Sequence, residues 1–243
     1  MIPKVIHYCW FGRNPLPELA KKCIESWKKY LPDYEIKEWN EDNFDVNSIP
    51  YTKEAYKAKK YAFVSDYARF WILYNYGGIY FDTDVEVIRN MDDIIAKGPY
   101  MGCELAPDNN KKLFPAIAPG LGMGVTSGHS LFKEIVDIYK HKHLFNFKGA
   151  ITETVVTIVT DILKRKKEKL DLCEICKVDG ITIYPDEYFC PMVALTGEIK
   201  ITQNTRTIHH YTATWVDRGT EPRYKREIKR LKNIIIRISS TFI

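Results

Sequence analysis

A single change of hydrophobic period limits this chain's fold more than any other feature. From Tyr56 to Tyr76 the apolar residues Phe63, Tyr67, Phe70 and Tyr74 recur at spacings of four, three and four, which predicts a helix. Gly77-Gly78 then predicts its end, because a residue without Cβ takes the positive φ that a helix C-terminus needs. IYFDTDVEVI follows at once and reads as a strand. Upstream, KVIHYCWF reads as a short buried strand, residues 19–29 as a helix and EIKEW as the next strand. Strands alternating with helices predict an α/β fold with a mostly parallel sheet, whose ligands lie at the carboxyl ends of the strands.

The same stretch carries chemistry. Asp82 and Asp84 flank Thr83, and on an extended backbone alternate side chains share a face, so both carboxylates are predicted to project together. Two hard oxygen ligands at a strand end suit a divalent cation that keeps positions open for phosphate oxygens. Asp66 and Arg69 stand three apart on the preceding helix, hence on one face. Each feature alone is weak, since D-x-D arises by chance and an exposed Asp–Arg pair contributes at most about 1 kcal/mol. Together they suit a phosphorylated, hydroxyl-rich ligand such as a sugar nucleotide. A two-carboxylate glycoside hydrolase fits poorly, because acids this close on one strand would not flank a glycosidic bond. GLGMG at 120–124 has the wrong spacing for a dinucleotide loop, and no P-loop occurs.

The order SDYAR, LYNYGG, IYFDTD resembles the glycosyltransferases that carry a DxD sugar-binding motif. That family includes capsular polysaccharide transferases, initiating mannosyltransferases and the glucosylating domains of clostridial toxins. The resemblance extends to IPKVIHYCWFG at the N-terminus and to Trp27, Pro32, Tyr34 and Trp39 in the following segment. It continues through Tyr184 to Pro191, and through His209, His210, Thr214 and Trp215, so it covers about residues 1–216. Two departures are Thr214, where the family usually has Ser, and GAITET at 149–154, where many members carry Thr-Gly-Pro.

The resemblance implies a GT-A-type, Rossmann-like fold and a catalytic set of Asp66, Arg69, Asp82 and Asp84. Trp10 is then expected to stack on uracil, and Asp66 and Arg69 to grip donor sugar hydroxyls, with Ser65 and Tyr80 as further contacts. Asp82 and Trp215 meet the diphosphate. Asp82, Asp84, His210 and Thr214 are the expected ligands of Mn²⁺ or Mg²⁺, with His209 the structural histidine, although residue types alone leave the two histidines interchangeable. The implied reaction is retaining transfer from a UDP-sugar to a saccharide acceptor, in capsular or surface polysaccharide or glycolipid assembly. No carboxylate stands out as a covalent nucleophile, which favours a front-face mechanism resting on positioning and stabilisation of the departing charge. The alternatives are a toxin-like protein glycosyltransferase and a carbohydrate-binding protein with a degenerate catalytic site.

Length and charge divide the chain unevenly. At 243 residues, 45% hydrophobic and 13% aromatic, it predicts one sizeable core and excludes disorder. Residues 1–218 are expected to form the catalytic domain and 219–243 a basic tail. Residues 223–243 hold seven Lys/Arg and one Glu, a surplus of six against five for the whole chain, so the preceding 222 residues sum to minus one. Tyr224, Ile228, Leu231, Ile235, Ile238 and Phe242 recur at helical spacing in that tail. A basic amphipathic helix predicts contact with an anionic membrane surface, which would bring the protein to a lipid-linked acceptor. A terminal helix docked on the core is the alternative. Nucleic acid is not expected as a partner, since the body is not basic. The chain starts directly into a strand, with no apolar segment before it, and no apolar run reaches the roughly 18 residues of a membrane span. The expected location is cytoplasmic, peripheral on the inner face of the membrane, with six reduced cysteines. Packing is the expected role of the C-x-x-C at Cys173 and Cys176.

Overall fold

The computed structural model describes residues 1–107, 112–151, 153–193 and 196–212. The basic tail, Thr214 and Trp215 lie outside the described residues. The first half runs β1 (Val5–Cys9), α1 (Glu18–Tyr30), β2 (Glu35–Trp39), α2 (Pro50–Lys57), α3 (Tyr61–Tyr76), β3 (Gly78–Tyr80), β4 (Val85–Val87) and α4 (Asp92–Ile95). The second half runs β5 (Tyr100–Pro107), β6 (Leu113–Ile117), β7 (Met123–Val125), α5 (Ser130–Lys140), α6 (Val155–Lys166), β8 (Cys176–Val178), β9 (Ile181–Tyr184), α7 (Asp186–Phe189) and β10 (Thr207–His209).

An eight-stranded sheet has the order β2-β1-β3-β7-β5-β9-β8, with β6 paired to β5. β2, β1, β3, β5 and β9 run one way, and β7 and β8 run against them. The fold is α/β with a mostly parallel sheet, and β7 is reversed in its middle. β4 and β10 form a separate antiparallel pair. Period-two alternation along β3 divides the core between the two faces of the large sheet. Tyr80 packs in the cluster built on α3 and α5, whereas Ile79 and Phe81 pack in the cluster that holds Cys23, Ile24 and Trp27 of α1.

The expected helix over 56–76 is two helices. Lys59 adopts φ 57, and the amides of Lys59 and Lys60 turn back to Tyr56 O and Ala55 O, both at 2.9 Å. The left-handed residue breaks the axis, so the site-bearing helix starts at Tyr61. Its far end follows the glycine argument: Gly77 has φ 65 and its N–H reaches Leu73 O at 2.9 Å. α3 is apolar almost all round because both its neighbours and the sheet cover it. Within it Ser65, Asp66 and Arg69 are nonetheless buried.

The expected continuous strand through the D-x-D is also two elements. β3 stops at Tyr80, residues 83–84 form a turn, and the chain re-enters as β4 of the other sheet. Asp82 N donates to Gly120 O at 2.9 Å and Val85 N to Asp82 O at 3.1 Å. These bonds take the backbone out of the extended register, so the shared-face argument for the two carboxylates does not hold.

Candidate functional site

β1 and β3 are adjacent and parallel, with His7 opposite Tyr80. Trp10 and Asp82 therefore leave the sheet at the same carboxyl edge. The large sheet is pinned there by a buried chain: Trp39 Nε1 donates to His7 Nδ1 at 3.1 Å, and His7 Nε2 lies 3.0 Å from Gly77 O. Burial pushes the His7 pKa down to about 4, so near neutrality the ring is uncharged and donates through Nε2.

Arg69 organises the first half of the site. Its Nη2 lies 3.1 Å from Asp66 Oδ1 and 3.2 Å from Asp82 Oδ1, and its Nε donates to Ser65 O at 3.1 Å. The guanidinium also sits over the Tyr80 ring at 5.0 Å, while Tyr80 OH donates to Asp82 Oδ1 at 3.1 Å. Arg69 is 4% exposed and Asp66 8%. At that depth an ion pair is set by geometry, since loss of either partner leaves a charge stranded away from water. Burial and the nearby Asp82 raise the Asp66 pKa to about 7 against the pull of Arg69. Ser65 contributes its carbonyl to Arg69, and its hydroxyl returns to Tyr61 O at 3.3 Å.

Asp84 belongs to different surroundings. Its Oδ2 accepts from Thr212 N at 2.9 Å and Thr212 Oγ1 at 2.7 Å, and its Oδ1 lies 3.3 Å from His209 Nε2. Burial opposes ionisation, but His209 and Thr212 hold the carboxyl well below the usual carboxylate range. The same contact, with Cys190 on the other side, holds the His209 imidazole well above its ordinary pKa despite burial. His210 Nε2 instead meets Glu86 Oε2 at 2.8 Å, and its backbone N–H donates to Asp84 O at 3.0 Å. Alternation along the strand explains which histidine meets Asp84: successive histidines point to opposite faces, and the face of β10 toward Asp84 is that of His209. Trp10 is half-buried, with its indole N–H donated to Asn14 O at 2.6 Å.

Sequence reasoning missed three participants. Thr212 carries no motif and is found only through its contact with Asp84. Glu104 on β5 is buried enough to have its pKa raised, and it accepts from Tyr211 OH at 3.2 Å. Gly120 is the third: a Cβ there would fall 1.9 Å from Asp82 Oδ2 and 3.3 Å from Arg69 Nη1. Its neighbours repeat the pattern, with the Gly122 position 2.8 Å from Phe81 and the Gly124 position 2.4 Å from Tyr100. GLGMG is thus the close-packing surface behind the aspartate turn, and the signal for it is three small residues at alternate positions.

The donor set fits a hard divalent cation. Asp82 and Asp84 offer carboxylate oxygens within one turn, and His209 brings an imidazole against Asp84. The arrangement therefore combines a cation-suited pair of acids with a buried arginine and two further carboxylates.

Residues 17–100 match the family described as "Glycosyltransferase sugar-binding region containing DXD motif". Inositol phosphoceramide mannosyltransferase 3 of Schizosaccharomyces pombe is 29% identical over 143 residues, covering 56% of this chain and 36% of its own length. An uncharacterized glycosyltransferase, L373, of Acanthamoeba polyphaga mimivirus is 36% identical over 104 residues, covering 40% of this chain and 41% of the viral protein. The chain thus spans well under half the length of these curated relatives. Among solved structures, PaToxG Glycosyltransferase aligns with a TM-score of 0.49 and 21% identity, over 70% of this chain and 72% of that one. Asp66, Arg69, Asp82 and Asp84 all lie inside the matched segment, and over that segment the chain is similar to glycosyltransferases whose sugar-binding region contains the DXD motif.

Proposed function

We propose that the protein transfers a hexosyl group from a nucleotide-sugar donor to a saccharide acceptor with retention of anomeric configuration. The observation that carries this reading is the buried Arg69, shared between Asp66 and Asp82 beside the separately held Asp84. Asp66 and Arg69 present fixed hydrogen-bonding groups to sugar hydroxyls, and their burial strengthens each contact. Asp82 and Asp84 would hold Mn²⁺ or Mg²⁺, with the His209 imidazole hydrogen-bonded behind Asp84. When bound, such a cation neutralises charge on the departing nucleoside diphosphate. Trp10 at the strand edge is suited to stacking on the base, for which UDP is the expected nucleotide. The remaining work is positioning of donor and acceptor.

The relatives' printed names favour a particular version of this reading. They describe mannosyl transfer to inositol phosphoceramide, which suggests a mannosyl donor and a lipid-borne acceptor in place of a capsular saccharide. The basic, amphipathic pattern of residues 223–243 supports a peripheral position on an anionic, cytoplasmic membrane face, where such an acceptor would be reached. Among the described residues no helix is long and apolar enough to cross a membrane. The deciding experiment is a panel of UDP- and GDP-linked hexoses scored for nucleotide release with Mn²⁺, and with EDTA as control. Release from one donor that EDTA abolishes supports the proposal and names the sugar. Failure with every donor, together with no nucleotide binding in calorimetry, overturns it.

A further inference from the structure

A second cluster of ligand-type side chains adjoins the site. Glu104 on β5, Cys190 just after α7 and His209 on β10 each offer one ligand atom, and the three atoms lie within 4.8 Å of one another. Thiol, imidazole and carboxylate together are the donors of a thiophilic ion of the Zn²⁺ kind, whereas Mg²⁺ and Mn²⁺ prefer oxygen.

Three observations point the same way. The Nδ1 atom of His209 is buried with no hydrogen-bond partner, while Nε2 faces Asp84 Oδ1 at 3.3 Å. A carboxylate that accepts a hydrogen bond from one ring N–H orients the imidazole and turns the other nitrogen toward a metal, as at metal-bound histidines. Cys190 is 2% exposed, and its Sγ lies 3.0 Å from Tyr211 OH, which also donates to Glu104 Oε2 at 3.2 Å. One hydroxyl thus links the other two ligands. Tyr211 itself has φ 47, an unfavourable conformation for a bulky residue, and its ring packs on His209 with centroids 4.2 Å apart.

We propose that Glu104, Cys190 and His209 form a site for a thiophilic divalent cation, separate from the hard oxygen pair of Asp82 and Asp84. Zinc bonds of about 2.0–2.3 Å require the three ligand atoms to draw in to roughly 3–4 Å of one another. Glu104 and His209 are partly exposed and Cys190 is closed off, so the ion enters from the carboxylate and imidazole side. On binding, the Cys190 thiol and His209 Nδ1 each release a proton to solvent, and Tyr211 OH or water takes the fourth position. His209 then connects the two sites through Asp84. The proposal needs no donor sugar, so it stands or falls apart from the transferase reading.

The test is a Co²⁺ titration of the reduced full-length protein, with Mg²⁺ in excess to fill hard oxygen positions. One Co²⁺ per chain should give a thiolate-to-cobalt charge-transfer band, which added Zn²⁺ removes. Cys190→Ala should abolish the band, and a Cys173→Ser/Cys176→Ser double variant should keep it. Glu104→Gln should weaken Co²⁺ binding about tenfold or more. Absence of the band in the unsubstituted protein overturns the proposal, as does its survival in Cys190→Ala or its loss with Cys173 and Cys176. If Cys190→Ala does not fold, unchanged Co²⁺ affinity in folded Glu104→Gln is equally decisive against it.

Discussion

Asp82 and Asp84 are two residues apart, yet they belong to different halves of the site. Asp82 ends the large parallel sheet and is neutralised by Arg69, a helix residue whose other partner is Asp66. Asp84 opens the small β4–β10 pair and is held by His209 and Thr212, which arrive more than 120 residues later. The first half is assembled from one contiguous stretch, residues 65–82. The second requires a distant strand to return. The contiguous half tolerates little loss of charge, because Arg69 and Asp66 are buried and only Asp82 is partly open to water. The composite half adds to its Asp84–His209 contact the Thr212 hydrogen bonds, which can be trimmed singly.

The largest effect expected from breaking this contrast is at Arg69. Arg69→Met should destabilise the fold by about 3–5 kcal/mol, because it strands the buried Asp66 and leaves the half-buried Asp82 without its cation. Urea unfolding measures this, and a loss below about 1 kcal/mol would mean that the two acids relax to water. Thr212→Ala, the matching cut on the Asp84 side, should cost only about 1.5–3 kcal/mol, the range for a hydrogen bond to a charged group.

Ligand affinity should divide the other way. Asp84→Asn is expected to lower Mn²⁺ affinity and nucleotide release by about 10–100-fold or more, with the fold retained. Isothermal titration with Mn²⁺ reads the first quantity directly. Wild-type affinity in that variant would remove Asp84 from the ligand set.

Acid should separate the halves as well. His7 is buried neutral with a pKa near 4, against 6.5 when unfolded, so the unfolded chain takes up a proton that the native one refuses. The stability due to a neutral His7 is complete above pH 6.5 and is lost as pH falls toward 4, about 3 kcal/mol in all. Asp84 has its pKa depressed, so its contribution persists until far lower pH. Hydrogen exchange at pH 4.5 should show β1–β3 loosening before β4–β10. The reverse order would refute the assignment of a neutral His7.

The smallest effect is expected at Gly120. Gly120→Ala places a methyl on Asp82 Oδ2, and overpacking of this kind costs about 1–3 kcal/mol. Because the atom displaced is a site carboxylate, nucleotide release should fall further than stability does. Parallel losses would make Gly120 a packing residue alone.

How much was legible in the sequence follows the same division. The Asp66–Arg69 pair was readable because helical spacing puts residues three apart on one face, and no other part of the chain is needed to say so. Strands β1 and β2, helix α1 and the stop at Gly77 were readable for the same reason, each being local propensity or period. The turn between Asp82 and Asp84 was not, because nothing in IYFDTDVEVI distinguishes one strand from two that join different sheets. The break at Lys59 was equally silent, since a lysine in the left-handed region has no sequence signature.

The sequence by itself determined the α/β class, the buried helix and the types of group at the site, since these depend on period, charge and spacing over a few residues. Only the tertiary structure decided that His209 and not His210 faces Asp84, that Thr212 and Glu104 join the site, and that Gly120 must be small. The physical reason is that each of these rests on a contact between segments far apart in sequence. Which face of β10 meets Asp84 is set by the register of its pairing with β4, and a shift of one residue would exchange the two histidines.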